Sequence, residues 1–81
     1  MKYSVYVLKS KKDRFLYIGI SSNPKRRLQE HNSGHTKSTK GRIPFELVYS
    51  EVYNTRIEAR EREKYFKSGS GKEHLKTIID L

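Results

Sequence analysis

The sequence predicts an α+β fold: a small three-stranded mixed or antiparallel sheet flanked by helices, in the order β-β-α-β-α-α. Three observations predict it. "YSVYVL" (3–8), "FLYIGI" (15–20) and "FELVYSEVY" (45–53) are short apolar or alternating runs rich in β-branched and aromatic residues, as strands are. Three longer segments each open on a helix-start signal. A length of 81 residues suits one domain with one small core, spanning 1–81.

The first two strands flank "KSKKDR", a tight polar connection. A turn centred on Lys11–Lys12 sets Tyr6 opposite Tyr17, and directly opposed residues share a face of the sheet. "SSNPKRRLQEHN" (21–32) starts a helix, with Asn23 or Ser22 as cap and Pro24 at the first helical position. Gly34 ends it in a left-handed conformation. Arg27 and His31, four apart, share one helical face, with Leu28 at the core edge. "SGHTKSTKGRIP" (33–44) reads as a basic loop, and 45–53 as the third strand, with Val48 and Val52 in its alternation. "TRIEAREREKYFKS" (55–68) opens with a capping box from Thr55 to Glu58, and Gly69 stops it. "SGKEHLKTIIDL" (70–81) opens with a second box, Ser70 to Glu73, and carries Leu75, Ile78 and Ile79 as its inner stripe.

Only 33% of residues are hydrophobic, so the core must lean on the bodies of six tyrosines. The formal net charge is +9, which points to a polyanionic partner. Residues 1–50 carry 11 Lys and Arg against 3 Asp and Glu, a surplus of +8; residues 51–81 have a surplus of only +1. The binding face is therefore expected in the first two-thirds. The chain has no cysteine, which excludes disulfide partners and thiolate metal sites and fits a reducing cytoplasm. No apolar run approaches a membrane span, and "MKYSVYVLKS" does not read as a signal peptide.

One position departs from plain amphipathicity. Ala59, Glu63 and Phe66 follow the spacing that should face the core, whereas Glu58 and Glu61 lie off it. A carboxylate on that stripe must be paired, hydrogen-bonded or bound to a metal. Each feature has an ordinary explanation: tyrosine fits strands, "KRR" is a charged helix surface, a single histidine usually lies at the surface, and Glu63 can pair with Lys67 at i+4. Together, paired tyrosines, an Arg–His helix face, an inward glutamate and a basic half-molecule are the parts of a phosphodiester nuclease. One carboxylate suffices for a Mg²⁺ that keeps its waters, arginine forks phosphate oxygens, and a tyrosine beside positive charge can serve as a base.

"SVY" (4–6), "YIG" (17–19), Arg27 and Glu63 together resemble the GIY-YIG nuclease superfamily, and the resemblance covers essentially the whole chain. "YIGISSNPKRRLQEHNSG", "STKGRIPFELVY" and "EAREREKYFKSGSG" are most similar to the small stand-alone bacterial branch, related to the nuclease domain of the excision-repair incision enzyme. The resemblance implies DNA as substrate and one divalent ion, Mg²⁺ or Mn²⁺. By position, Tyr6 and Tyr17 match the signature tyrosines, Arg27 the phosphate-binding arginine, Glu63 the metal ligand, and His31 a helix histidine that several branches use. Ser4 stands where the first signature glycine would be, Ile20 where the excision-repair branch has lysine, and no asparagine follows Glu63.

The expectation is a cytoplasmic DNA endonuclease acting on branched, flapped or damaged DNA in repair or recombination. Its catalytic set is Tyr6, Tyr17, Arg27, His31 and Glu63. Gly19 lets the backbone approach the substrate closely, and Lys25, Arg26, Lys37, Lys40 and Arg42 hold the nucleic acid. The alternative is a non-catalytic module binding DNA or RNA. A third reading, docking on acidic proteins or membranes, has no amphipathic support for its membrane form.

Overall fold

The computed structural model describes residues 1–79. Its elements are β1 (Tyr3–Ser10), β2 (Leu16–Ser21), α1 (Pro24–Asn32), β3 (Phe45–Tyr53), α2 (Arg56–Lys67) and α3 (Gly69–Ile79), in the expected order. The sheet is antiparallel throughout, with strand order β2-β1-β3. β1 is thus central and covered on both faces. Val5 and Val7 join Ile18, Ala59, Phe66 and Leu75 in a core under α2 and α3. Tyr6 and Leu8 pack with Phe45, Tyr17 and Leu28 beneath α1. The alternation of β1 therefore feeds two small cores at once. Tyr3, Tyr49 and Tyr53 line the first of them, so tyrosine does supply much of the apolar body.

The hairpin register differs from the expectation. Tyr6 pairs with Gly19, and Tyr17 pairs with Leu8. The connection is a four-residue loop closed by Ser10 N donating to Phe15 O at 2.8 Å, with Arg14 left-handed at φ 64°. Ser10 Oγ, accepting from Lys12 N at 3.1 Å and donating to Arg42 O at 2.6 Å, anchors it. This loop is centred one residue later than Lys11–Lys12, which moves every pairing by two. A two-residue shift preserves the face, so Tyr6 and Tyr17 become diagonal neighbours on one side of the sheet.

Asn23 caps α1 by accepting from Arg26 N, with Pro24 first in the helix, and Gly34 follows its end at φ 83°. At Thr55 the box closes differently from the reciprocal form: the hydroxyl accepts from Glu58 N at 3.2 Å and donates to Glu58 Oε1 at 3.0 Å. The α2–α3 joint corrects two expectations. The stop is Ser68, not Gly69, which opens α3. Ser70 lies inside α3, so the second capping box does not form. Ser68 serves both helices, its Oγ donating to Tyr65 O at 2.6 Å and accepting from Gly71 N at 3.1 Å. The corner is so tight that a Cβ at Gly71 would collide with the Tyr65 carbonyl. Leu75 is buried and Ile78 packs on the same core. The last two residues of the expected 70–81 helix lie outside the described residues.

A polar clamp fixes α2 against β3. Arg62 donates to both oxygens of Glu51, at 2.9 and 3.2 Å, and Tyr49 and Tyr53 donate to the same carboxylate. The guanidinium also lies over the Phe66 ring, 4.5 Å from its centroid. Arg62 precedes Glu63, so the clamp sets the rotation of α2 at the position that matters. Among the described residues no helix is long and apolar enough to cross a membrane.

Candidate active site

Tyr6 is the centre of the site. It is only 1% exposed, and its ring lies over its pairing partner Gly19. A Cβ at position 19 would come within 3.0 Å of three atoms of the Tyr6 ring and hydroxyl. The glycine expected to admit the substrate backbone therefore first makes room for Tyr6. The Tyr17 ring centroid is 6.2 Å from that of Tyr6 and 4.5 Å from His31. Tyr17 is half-buried on the edge strand.

Arg27 reaches the Tyr6 hydroxyl from α1, whereas Glu63, on α2, acts on Tyr6 only through its charge. The two helices cover opposite faces of the sheet, so Arg27 lies on the Tyr6 side and Glu63 on the other. Burial pushes the Tyr6 phenol above its ordinary value; Arg27 pulls against that rise, and Tyr17 and Glu63 add to it. Near neutral pH Tyr6 is therefore a protonated hydrogen-bond donor rather than a phenolate. Arg27 is held by Glu30, 2.5 Å away, which also pairs with Arg26 at 3.3 Å.

His31, expected in the catalytic set, does not lie at the surface. It is fully buried, 2.9 Å from Thr39 Oγ1 through Nδ1, and its Nε2 has no partner. Burial, with Arg27 assisting, holds its pKa below the ordinary value against the opposing pull of Glu30. The neighbouring Asn32 grips β3, donating to Phe45 O at 3.0 Å and accepting from Phe45 N at 2.6 Å. That two-pronged bond ties the end of α1 to the sheet and seats His31 beside Tyr17 and Phe45.

Glu63 is on the inward stripe as expected, between Ala59 and Phe66, with a side chain 16% exposed. It pairs with Lys67 at 3.1 Å. Tyr17 and Lys67, with Phe15, Leu16, Ile18 and Lys72, line a groove beside β2. Tyr6 neighbours this groove's tyrosine and Glu63 its lysine, but neither they nor Arg27 line it, so the set does not share one enclosed cleft. Among the described residues there is no group of three or more metal-ligating side chains. One nearly buried carboxylate fits a hard cation that retains most of its own waters.

The basic residues divide. Lys25, Lys37 and Lys40 are exposed. Arg26 is engaged by Glu30. Arg42 is committed to structure: it pairs with Asp13 at 2.5 Å and stacks over Phe15 at 4.1 Å.

Residues 2–76 match the family model of the GIY-YIG catalytic domain. The chain belongs to the GIY-YIG family. Small GIY-YIG relatives match nearly end to end. A UPF0213 protein of Staphylococcus saprophyticus is 40% identical over 80 residues, covering 98% of this chain and 96% of its own. A UPF0213 protein of Clostridium perfringens is 41% identical over 75 residues, covering 91% and 80%. The solution NMR structure of a UPF0213 protein from Bacillus halodurans superposes with a TM-score of 0.59 at 36% identity, covering 96% of this chain and 85% of that one. GIY-YIG domains are in general divalent-metal-dependent endonucleases acting on DNA.

Sequence reading missed three supports of this GIY-YIG site. Glu30 was discoverable, since it stands three and four residues after Arg27 and Arg26. Thr39 meets His31 across a loop and the Glu51–Arg62 clamp joins β3 to α2, and no helix or strand spacing marks either.

Proposed function

We propose that the chain is a single-domain, metal-dependent DNA endonuclease that hydrolyses phosphodiester bonds in branched, flapped or damaged DNA, in cytoplasmic repair or recombination. The observation that carries this reading is the packing of Tyr6, Tyr17 and His31 ring against ring, with Arg27 beside the buried Tyr6 hydroxyl. Arg27, its fork steadied by Glu30, binds the phosphate oxygens and balances charge that builds there. Tyr6 donates a hydrogen bond to the phosphate or the attacking water. Tyr17, more accessible, positions that water, supported by His31. Glu63 would hold one Mg²⁺ or Mn²⁺, releasing Lys67. When bound, that ion supplies neutralisation of the phosphate charge and acidification of water. Lys25, Lys37 and Lys40 track the backbone, and Arg26 adds positive charge beside them.

The second reading, a non-catalytic nucleic-acid-binding module, draws on the Glu63–Lys67 pair, which engages the carboxylate without a metal. One assay separates the two. Branched, flapped and single-stranded DNA are incubated with the protein in Mg²⁺, Mn²⁺ or EDTA. The nuclease reading expects metal-dependent cuts abolished by EDTA; binding without cutting on every substrate supports the module.

A further inference from the structure

Thr39 sits in the basic loop, 1% exposed, with its Oγ 2.9 Å from His31 Nδ1 and 3.3 Å from the Thr36 carbonyl. A hydroxyl has one hydrogen to give, and a carbonyl can only accept. Donation to Thr36 leaves Thr39 Oγ as an acceptor toward His31, so the imidazole hydrogen lies on Nδ1. Nε2 is then a bare lone pair, buried, unpartnered and next to the Tyr17 ring. The opposite arrangement would bury an N–H with no acceptor, and orphaned buried N–H groups are the rarer kind. Burial and Arg27 keep the ring neutral, consistent with one hydrogen rather than two.

We propose that Thr39 is a positioning residue: it locks His31 in the Nδ1–H tautomer and so leaves Nε2 as a hydrogen-bond acceptor in the buried space beside Tyr17. The function of that acceptor rests on the nuclease reading above; the tautomer does not. A loop expected only to follow phosphates thus also orients a ring in the site. The tautomer of a catalytic histidine is set by the hydrogen bond at its other nitrogen, and here that bond comes from the loop that follows α1.

Nitrogen-15 NMR on the full chain tests this, with the His31 signals assigned by comparison with His35→Gln and His74→Gln. Near neutral pH the wild type should show His31 with a protonated Nδ1 and a bare Nε2. Thr39→Val, equal in shape but lacking the hydroxyl, should move hydrogen toward Nε2. On a substrate the parent cleaves, it should lower the turnover rate about 10–100-fold, the scale for losing an outer partner, with DNA affinity kept. Thr39→Ser should restore both tautomer and rate. A wild-type Nε2–H directed at Tyr17, or an unchanged tautomer in Thr39→Val, overturns the proposal. So does a serine variant that folds but rescues neither quantity. A wild type that cuts nothing defeats the nuclease reading and with it the role of Nε2, while the NMR result still decides the tautomer. Should the valine variant fail to fold, the wild-type tautomer and the serine variant decide.

Discussion

The Tyr6 hydroxyl stands where a side chain at position 19 would begin: a Cβ on Gly19 would lie 2.6 Å from it. The two positions are directly paired across β1 and β2, so a side chain at 19 requires the ring at 6 to move. Gly19→Ala should force the Tyr6 ring aside, at a cost of about 1–3 kcal/mol for overpacking, and should impair cleavage by displacing the hydroxyl that Arg27 contacts. Urea unfolding measures the first effect and a cleavage assay the second. Unchanged stability and activity would mean the ring has room that this geometry denies it.

The paired tyrosines should respond unequally to losing their hydroxyls. Tyr17→Phe is expected to lower the cleavage rate roughly 10²–10⁴-fold, the scale of acid–base assistance, with DNA affinity nearly intact. Tyr6→Phe should also be impaired. Its pKa is raised above 10.0 by burial, so the wild-type hydroxyl stays protonated through neutral and mildly alkaline pH. Removing it should therefore lower the rate without moving the rising limb of the pH–rate profile. If both variants cut at the parental rate, the tyrosines serve only as strand formers.

Glu51 makes stability fall in acid. Arg62, Tyr49 and Tyr53 hold its carboxyl at about 2 despite the opposing effect of burial, against an ordinary value of 4.5. A depressed carboxyl contributes stability above its unfolded pKa and loses it as pH falls through the folded one. Glu51→Gln should cost about 1.5–3 kcal/mol near neutral pH, as for hydrogen bonds to a charged group. The gap to the wild type should close between about pH 4.5 and about pH 2. Tyr49, pushed up to about 12 by the Glu51 carboxylate, adds a loss at the alkaline end as pH rises past 10. Denaturant melts across pH check both limbs; a constant gap in acid would contradict the clamp.

Local patterns fixed more of this fold than of its site. The three strands and the starts of α1 and α2 follow from alternation and capping, which are short-range. The hairpin register failed because Ser10 anchors the loop to Arg42, a contact 32 residues away. Gly69 and Ser70 misled because Ser68 serves two helices at once, and each cap taken singly looks plausible one or two residues later. Arg27 and Glu63 were readable as a helix face and a misplaced charge. The buried state of His31 was not, since it depends on Asn32 gripping Phe45 and on Thr39 folding back over the ring.

The basic loop should separate into binding and structural residues. Replacing Lys37 and Lys40 by alanine should leave thermal stability unchanged and weaken DNA binding on all sequences alike. The salt dependence on duplex DNA should flatten by up to about 0.9 log units per lost contact. Arg42→Ala should lower the melting temperature as well, since it removes the Asp13 pair and the stacking on Phe15. An unaltered salt slope in the double lysine variant would show that these residues do not touch phosphates.

The central claim is that the Glu63 carboxylate holds a metal for cleavage rather than merely pairing with Lys67. Glu63→Gln keeps the size and the helix while removing the charge that a hard cation needs. DNA binding by fluorescence anisotropy and cleavage in Mg²⁺ and Mn²⁺ are measured side by side for wild type and variant. The account predicts a variant that folds and binds like the parent and does not cut, whatever the metal concentration. Cleavage by the variant at the parental rate in saturating Mg²⁺ would contradict it.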